Sequence, residues 1–379
     1  MMPHARYAAI VLAAGFSSRM EQFKPLLQPG GLTITDRVIS MFDHNGIDVF
    51  VVVGWKKKEL LSGIQSRNVI VVENPDYERG MFTSVLAGLR HLPPDCKSFF
   101  IMPVDIPLVR PATVQILLKK AEENPGRIIY SCFGGRRGHP TLIPSKLIQD
   151  ILLWKQEGGL KAFLNSKKEL ALEVNVPDRN ILFDIDIPED FREAEERLKK
   201  NDVPTKEECE IIIDELYPMP SPVRKHCEKV TEVATAICKK LQQSGRSVDV
   251  EMVRAAAMMH DLAKGLPNHE EQACRILHEL GFGKVGDLIS DHMELKNADD
   301  KTSLEEKIVY LADKFVEEDR LISLEERYRT SGRRFIVTNE IKARILERKA
   351  RALMIKKDLE EIIGRYLEEI IFEPTGNSQ

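Results

Sequence analysis

Leu12-Ala13-Ala14-Gly15-Phe16-Ser17-Ser18-Arg19-Met20, closing a few residues later on Lys24-Pro25-Leu26, is the stretch from which the fold can be read. The apolar run Tyr7 to Leu12 that enters it reads as a buried, parallel-type strand. Ala13, Ala14 and Gly15 then carry too little side chain to hold a ligand away, so their backbone N–H groups can face phosphate oxygens. Arg19 adds a planar charged fork and Lys24 a compact point charge. On its own the segment fits either a polyphosphate cradle or an ordinary strand-to-helix turn.

Working outward, Ile47 to Val53, Asn68 to Glu73, Ser98 to Met102 and Arg127 to Cys132 read as strands. Leu32 to Asn45, Thr83 to His91 and Pro111 to Asn124 read as the helices between them, Pro111 being well suited to a helix start. This alternation predicts an α/β, Rossmann-like domain with a mostly parallel sheet covered on both faces. Ligands of such sheets gather beyond the carboxyl ends of the strands. There the sequence offers the opening loop, Pro103-Val104-Asp105-Ile106-Pro107, and the loop Gly134 to Pro140.

The chain has 379 residues, and at roughly 100–200 residues per domain it should hold two. Composition shifts near Asn201-Asp202-Val203-Pro204-Thr205, after which nearly everything reads as helix. The expected division is an α/β domain over 1–200 and an all-α domain over 207–379. The net charge is -4 and 43% of residues are hydrophobic, with no apolar run of membrane-spanning length. Neither nucleic acid nor a membrane is an expected partner. The N-terminus leads straight into a strand without a secretory apolar region, so a cytoplasmic protein is expected. The six cysteines form no Cys-x-x-Cys pair, against a disulfide framework or a cysteine zinc site.

Asp105 stands between prolines at a strand end, on the expected ligand face. It reads either as a carboxylate for Mg2+-dependent phosphoryl chemistry or as a turn residue capping the helix near Pro111. One of the aspartates in Asp184-Ile185-Asp186-Ile187-Pro188-Glu189-Asp190, after the strand-like Asn180 to Phe183, would complete a metal site with it. Asp190 reads as an N-terminal helix residue only.

The ordered set of the opening loop, Lys24, Asn74-Pro75, Gly80-Met81-Phe82-Thr83-Ser84, Asp105, Gly138-His139-Pro140 and Asp184 to Asp190 resembles the molybdenum-cofactor nucleotidyltransferases, and within them the cytidylyltransferase branch. The resemblance covers about residues 7–195. It implies that a terminal phosphate on a molybdopterin-type acceptor attacks the α-phosphorus of a nucleoside triphosphate and expels pyrophosphate. It places Leu12, Ala13, Ala14, Gly15, Arg19 and Lys24 at the triphosphate, Asp105 and Asp186 on Mg2+, Asn74, Gly80 and Ser84 along the nucleotide, and His139 towards the pterin. Ala14, where the guanosine branch usually has glycine, makes CTP the favoured donor. Glu21, where the family usually has glycine, and Pro103-Val104-Asp105, in place of the common Gly-Asp, depart from its pattern.

The helical half gathers His226, His260-Asp261, His269, His292 and Asp313. Imidazoles with carboxylates suit a transition-metal site, with Asp261 the natural bridging ligand. This half resembles the HD-domain metal-dependent phosphohydrolases over roughly residues 220–330. The resemblance implies one or two divalent ions such as Fe or Mn, held by His226, His260, Asp261 and Asp313, with His269 and His292 added in two-metal members. Lys264 matches a lysine near the substrate phosphate, and the substrate class is a phosphorylated small molecule or nucleotide. The chain thus reads as a bifunctional enzyme. Alternatives are a transferase for a sugar or alcohol phosphate, and a regulatory, non-catalytic metal-binding HD domain.

Overall fold

Strand β1 (Arg6–Ala13) is apolar at nearly every position because it is buried on both faces. Ala9, Val11 and Ala13 enter one core with Val38, Phe42 and Val114, while Ala8, Ile10 and Leu12 enter another with Val85, Leu89 and Phe163. A strand with helices on both sides has no solvent face on which to place polar residues.

The computed structural model describes residues 6–16, 20, 22–66, 68–290, 295, 302–334 and 339–372. The chain divides into two compact units, Met1–Asn201 and Asp202–Gln379. In the first, β1 is followed by α1 (Ile34–Asp43), β2 (Asp48–Val53), α2 (Lys57–Gly63), β3 (Val69–Glu73), α3 (Met81–Leu89), β4 (Cys96–Pro103), α4 (Pro111–Glu123), β5 (Ile128–Phe133) and β6 (Arg136–Pro144). Helices α5 (Ile148–Leu152) and α6 (Gly159–Ser166), strand β7 (Ala171–Asn175) and α7 (Pro188–Lys199) complete it. The sheet order is β3-β2-β1-β4-β6-β5-β7. Every pairing is parallel except those of β6, which runs antiparallel to both β4 and β5.

Two local devices fix this layout. Thr33 caps α1, its Oγ1 accepting from Asp36 N at 2.9 Å, and Asp36 in turn accepts from Gln65 N at 3.0 Å and Ser66 N at 2.9 Å. Gly88 lets α3 settle directly on β1, since a Cβ there would stand 2.5 Å from Ile10 Cγ2.

Three sequence expectations are corrected. The segment Gly134 to Pro140, expected as a loop, holds only a two-glycine turn before β6 begins at Arg136. Asn180 to Phe183, expected as a strand, is a short 3-10 turn over Arg179–Leu182. The buried Asp178 carboxylate imposes that turn, accepting from Asn180 N at 3.1 Å, Arg110 N at 2.7 Å and Thr113 Oγ1 at 2.8 Å. Strand β7 was not anticipated at all.

The second unit is helical: α8 (Lys206–Ile211), a π-helical turn over Ile212–Leu216, α9 (Ser221–Gln243), α10 (Val250–Met259), α11 (His269–Glu279), α12 (Gly283–Ile289) and α13 (Leu304–Lys314). The two-residue strands β8 (Val316–Glu317) and β9 (Arg320–Leu321) precede α14 (Leu324–Arg334), α15 (Asn339–Ile363) and α16 (Leu367–Ile371). Along α9, Cys227, Val230, Ala234, Ile237 and Leu241 recur at helical spacing and are buried. They face α10, where Ala255, Ala256 and Ala257 are small enough for a close crossing. The six cysteines are free thiols. Among the described residues no helix is long and apolar enough to cross a membrane.

Candidate active site and metal centre

At the carboxyl ends of β1 and β4 lies a cavity of about 380 Å3, walled by Leu12 to Phe16 on one side and Pro103 to Asp105 on another. Lys24, Gly80 and Ser84 also line it. Gly80 has φ 105°, a left-handed conformation that favours glycine, and it starts α3 so that the helix N-terminus borders the cavity. Asn74 lies behind this wall, buried. Its Nδ2 donates to Thr83 Oγ1 and Ser84 Oγ, both at 2.9 Å, and its Oδ1 accepts from Asp76 N at 3.0 Å. Asn74 therefore positions Ser84.

Lys24, in the cavity lining, draws two carboxylates together: its Nζ lies 2.6 Å from Asp186 Oδ1 and 3.3 Å from Asp105 Oδ2. Two carboxylates far apart in sequence thus share one site. The reading of Asp105 as a helix cap does not hold: α4 is preceded by Arg110 and has no side-chain cap. Asp190 does more than the sequence suggested. Its Oδ2 accepts from Asp186 N at 2.8 Å and Ile187 N at 2.9 Å, fixing the backbone that carries Asp186. His139, on β6, is largely buried, and burial holds its pKa below the usual histidine value against the pull of Asp105 and Asp184. Its imidazole is therefore neutral at neutral pH.

Sequence reasoning also missed an aromatic group at the cavity mouth. Phe16 lies 5.6 Å from Trp55 and 5.4 Å from Tyr77, ring centre to ring centre. Phe16 is half exposed, and its place directly after Gly15 was the only signal in the sequence. Arg19 lies outside the described residues.

In the helical unit His226 comes from α9, His260 and Asp261 from the end of α10, and Asp313 from α13. His226 Nε2 is 3.1 Å from Asp313 Oδ1, and His260 Nε2 is 3.6 Å from Asp261 Oδ2 and 3.8 Å from Asp313 Oδ1. Both imidazoles are oriented from behind: His226 Nδ1 is 2.9 Å from Glu318 O and His260 Nδ1 is 2.8 Å from Ala257 O. Donation to those carbonyls fixes Nε2 of each as the inward, metal-binding atom. The donor set fits a divalent transition metal, for His226, His260 and Asp261 each offer an atom within 4.8 Å of the others.

Burial opposes charge throughout this centre. At His260 burial wins and lowers its pKa. At His226 burial is outweighed by the Asp313 carboxylate, which raises it. Burial would also raise Asp313, but Lys314 and His226 hold it well below the carboxylate range. Lys314, unforeseen in the sequence, places Nζ 2.7 Å from Asp313 Oδ2. His269 Nε2 is 3.6 Å from Asp261 Oδ1, and Lys264 Nζ is 2.9 Å from Asp261 Oδ2. His292 lies outside the described residues. Cys227 is fully buried, its thiol pushed up by that burial, which leaves it inert.

Residues 9–171 match the MobA-like NTP transferase domain, and residues 223–317 match the HD domain. The chain joins these two domains. The MobA-like domain is that of an enzyme, a nucleotidyltransferase, and domains of both kinds generally use divalent metals. The molybdenum cofactor cytidylyltransferase of Escherichia coli is 28% identical over 189 residues, 50% of this chain and 95% of that protein. The bifunctional IPC transferase and DIPP synthase of Rubrobacter xylanophilus is 40% identical over 118 residues, 29% of this chain. The match spans only about a quarter of that relative's length, 26%. A probable molybdenum cofactor guanylyltransferase of Bacillus cereus is 28% identical over 127 residues, 33% of this chain and 62% of that protein.

Proposed function

We propose that this is a cytoplasmic, bifunctional enzyme. Its MobA-like domain transfers a cytidylyl group from CTP to the terminal phosphate of a molybdopterin-type acceptor. Its HD domain hydrolyses a phosphate ester or anhydride of a small molecule or nucleotide. In the transfer, an acceptor phosphate oxygen bonds to the α-phosphorus as the bond to the β-phosphate oxygen breaks, and pyrophosphate leaves. The observation that carries this reading is the convergence of Asp105 and Asp186 on Lys24 at the rim of a cavity walled by the Ala13 to Gly15 backbone.

In this reading the Ala13, Ala14 and Gly15 backbone, Lys24 and Arg19 hold the triphosphate, while Gly80 and Ser84 lie along the nucleoside. Asp105 and Asp186 are the oxygen donors for Mg2+, which when bound neutralises triphosphate charge. His139, neutral in its buried position, borders the acceptor. In the HD domain His226, His260, Asp261 and Asp313 would hold one transition ion such as Fe or Mn, and His269 with His292 a second. Such ions supply Lewis-acid activation of water and phosphate. Lys264 meets the substrate's phosphate. Retention of the full four-residue set speaks against a purely regulatory domain.

The test is pyrophosphate release by the full chain with Mg2+, each nucleoside triphosphate and each acceptor in turn. Release is expected with CTP only when molybdopterin-type phosphate is supplied; release with GTP alone would overturn the base assignment. The identity to the Rubrobacter relative, 40% over its matched stretch, favours a second reading in which the cradle is the same and the acceptor is a sugar or alcohol phosphate. Release with such an acceptor alone would select it. For the HD domain, phosphohydrolase activity is expected after loading with Mn2+ or Fe2+. Failure to bind either ion would overturn the catalytic reading.

A further inference from the structure

Helices α11 and α12 bring together three donors that belong to neither centre described above. Cys274 and His278 stand four residues apart on one face of α11, and Asp287 comes from α12. Each offers a ligand atom within 4.8 Å of the other two, and His278 Nε2 is 2.7 Å from Asp287 Oδ1.

The backbone is shaped around this group. A Cβ at Gly283 would stand 3.1 Å from Cε1 and Nδ1 of His278, and one at Gly286 would stand 2.9 Å from Cys274 O and 3.1 Å from His278 Cδ2. Glycine inside a helix costs about 1 kcal/mol relative to alanine, yet α12 has two in 7 residues. Their effect is to let the His278 ring lie against the α12 backbone, beside Asp287.

We propose that Cys274, His278 and Asp287 form a binding site for a thiophilic divalent cation of the zinc class. Thiolate, imidazole and carboxylate together suit Zn2+ or Co2+ and disfavour Mg2+ and Ca2+. On binding, the Cys274 S–H bond gives way to a sulfur–metal bond and the proton passes to solvent, while His278 exchanges its hydrogen bond to Asp287 for a metal bond. His278 and Asp287 are both exposed, so a further coordination position faces water and the ion is exchangeable. The site lies well away from the HD centre along α11: His269 and His278 are separated by about 13 Å of helix, at ~1.5 Å rise per residue.

The experiment is a Co2+ titration of the full, reduced chain under anaerobic conditions, followed by absorption spectroscopy. A thiolate-to-Co2+ charge-transfer band is expected in the near ultraviolet, reaching at saturation the intensity of one thiolate ligand per chain once the HD centre is also filled, and abolished by excess Zn2+. The ligands assigned to the HD centre are imidazoles and carboxylates, which give no such band. Cys274→Ser, which keeps the His278–Asp287 pair, should remove the band, and His278→Ala should weaken Co2+ binding on the order of tenfold or more. Asp313→Ala, which disrupts the HD centre, should leave the band in place. A wild-type spectrum without it would reduce the group to an ion pair and overturn the proposal. So would a band that survives Cys274→Ser, and loss of that band in Cys227→Ser would then move the thiolate to the buried centre.

Discussion

Lys24 is the residue on which the first site turns, because its ammonium is the positive charge shared by Asp105 and Asp186. Removing it leaves two carboxylates facing each other without a counter-charge. Lys24→Met should therefore cut pyrophosphate release by about 100- to 1000-fold, the usual scale for losing one charged transition-state contact. Asp105→Ala should abolish it. Circular dichroism should stay at wild-type level in both variants, and normal turnover by Asp105→Ala would show that the metal sits elsewhere. Asp105 was legible in the sequence because it stands between prolines at the end of β4, Lys24 because it closes the small-residue loop that follows β1, and Asp186 because it lies in the acidic run Asp184 to Asp190. The roles of Asp190 and Lys314 were not, since each acts only through a close sequence neighbour that it positions, and the sequence does not show which way either side chain turns.

At the scale of elements, α1 depends on Asp36, whose carboxylate receives Ser66 N at 2.9 Å and Gln65 N at 3.0 Å. Burial would raise its pKa, but the hydrogen bonds from Thr33, Ser66 and Gln65 outweigh burial and lower it. A depressed folded pKa gives stability that is present above the unfolded value, about 4, and is lost as pH falls through the folded one. Asp36→Asn should be less stable than wild type near neutrality by about 1–3 kcal/mol, with the gap closing below about pH 4. Urea midpoints at several pH values would read this; a pH-independent gap would assign the effect to packing.

Helix α3 allows a second check. An alanine is ordinarily better than glycine in a helix by about 1 kcal/mol, but Gly88→Val should destabilise by about 1–3 kcal/mol, because the side chain meets Ile10 on β1. A stabilised variant would show that α3 can lift off the strand. The strands buried on both faces were easy to recognise, since continuous apolar runs such as Val49 to Val53 write themselves into the sequence. Strand β6 was missed because it starts with Arg136 and Arg137, both exposed, and turns apolar only later. Asn180 to Phe183 misled for the opposite reason: its apolar run belongs to a turn set by Asp178.

For the whole molecule, the two units each contain their own buried apolar residues and their own candidate ligand site. Ligand binding to a folded unit stabilises that unit in proportion to RT ln(1 + [L]/Kd). Calorimetry should therefore resolve two unfolding transitions, one raised by CTP with Mg2+ and the other by Mn2+ or Fe2+. A single transition raised equally by both ligands would mean that the units unfold as one. The two-part character of the chain was legible from the change of composition near residue 200, where strand signals give way to helical periodicity.

The reversed direction of β6 has an effect beyond the sheet's hydrogen bonding. Because it runs antiparallel to β4, with Ile101 opposite Thr141 and Ser98 opposite Pro144, it presents its beginning at the edge where the other strands present their ends. His139 therefore arrives beside Asp105 on the rising arm of a hairpin whose tip is Gly134 and Gly135. A hairpin tip tolerates insertion and exchange far better than a strand-to-helix turn packed into a core. The hairpin tip is thus free to vary in length and sequence while Leu12 to Gly15 stays fixed, and on the proposed reading an engineer could exchange it without disturbing the loop that holds the donor.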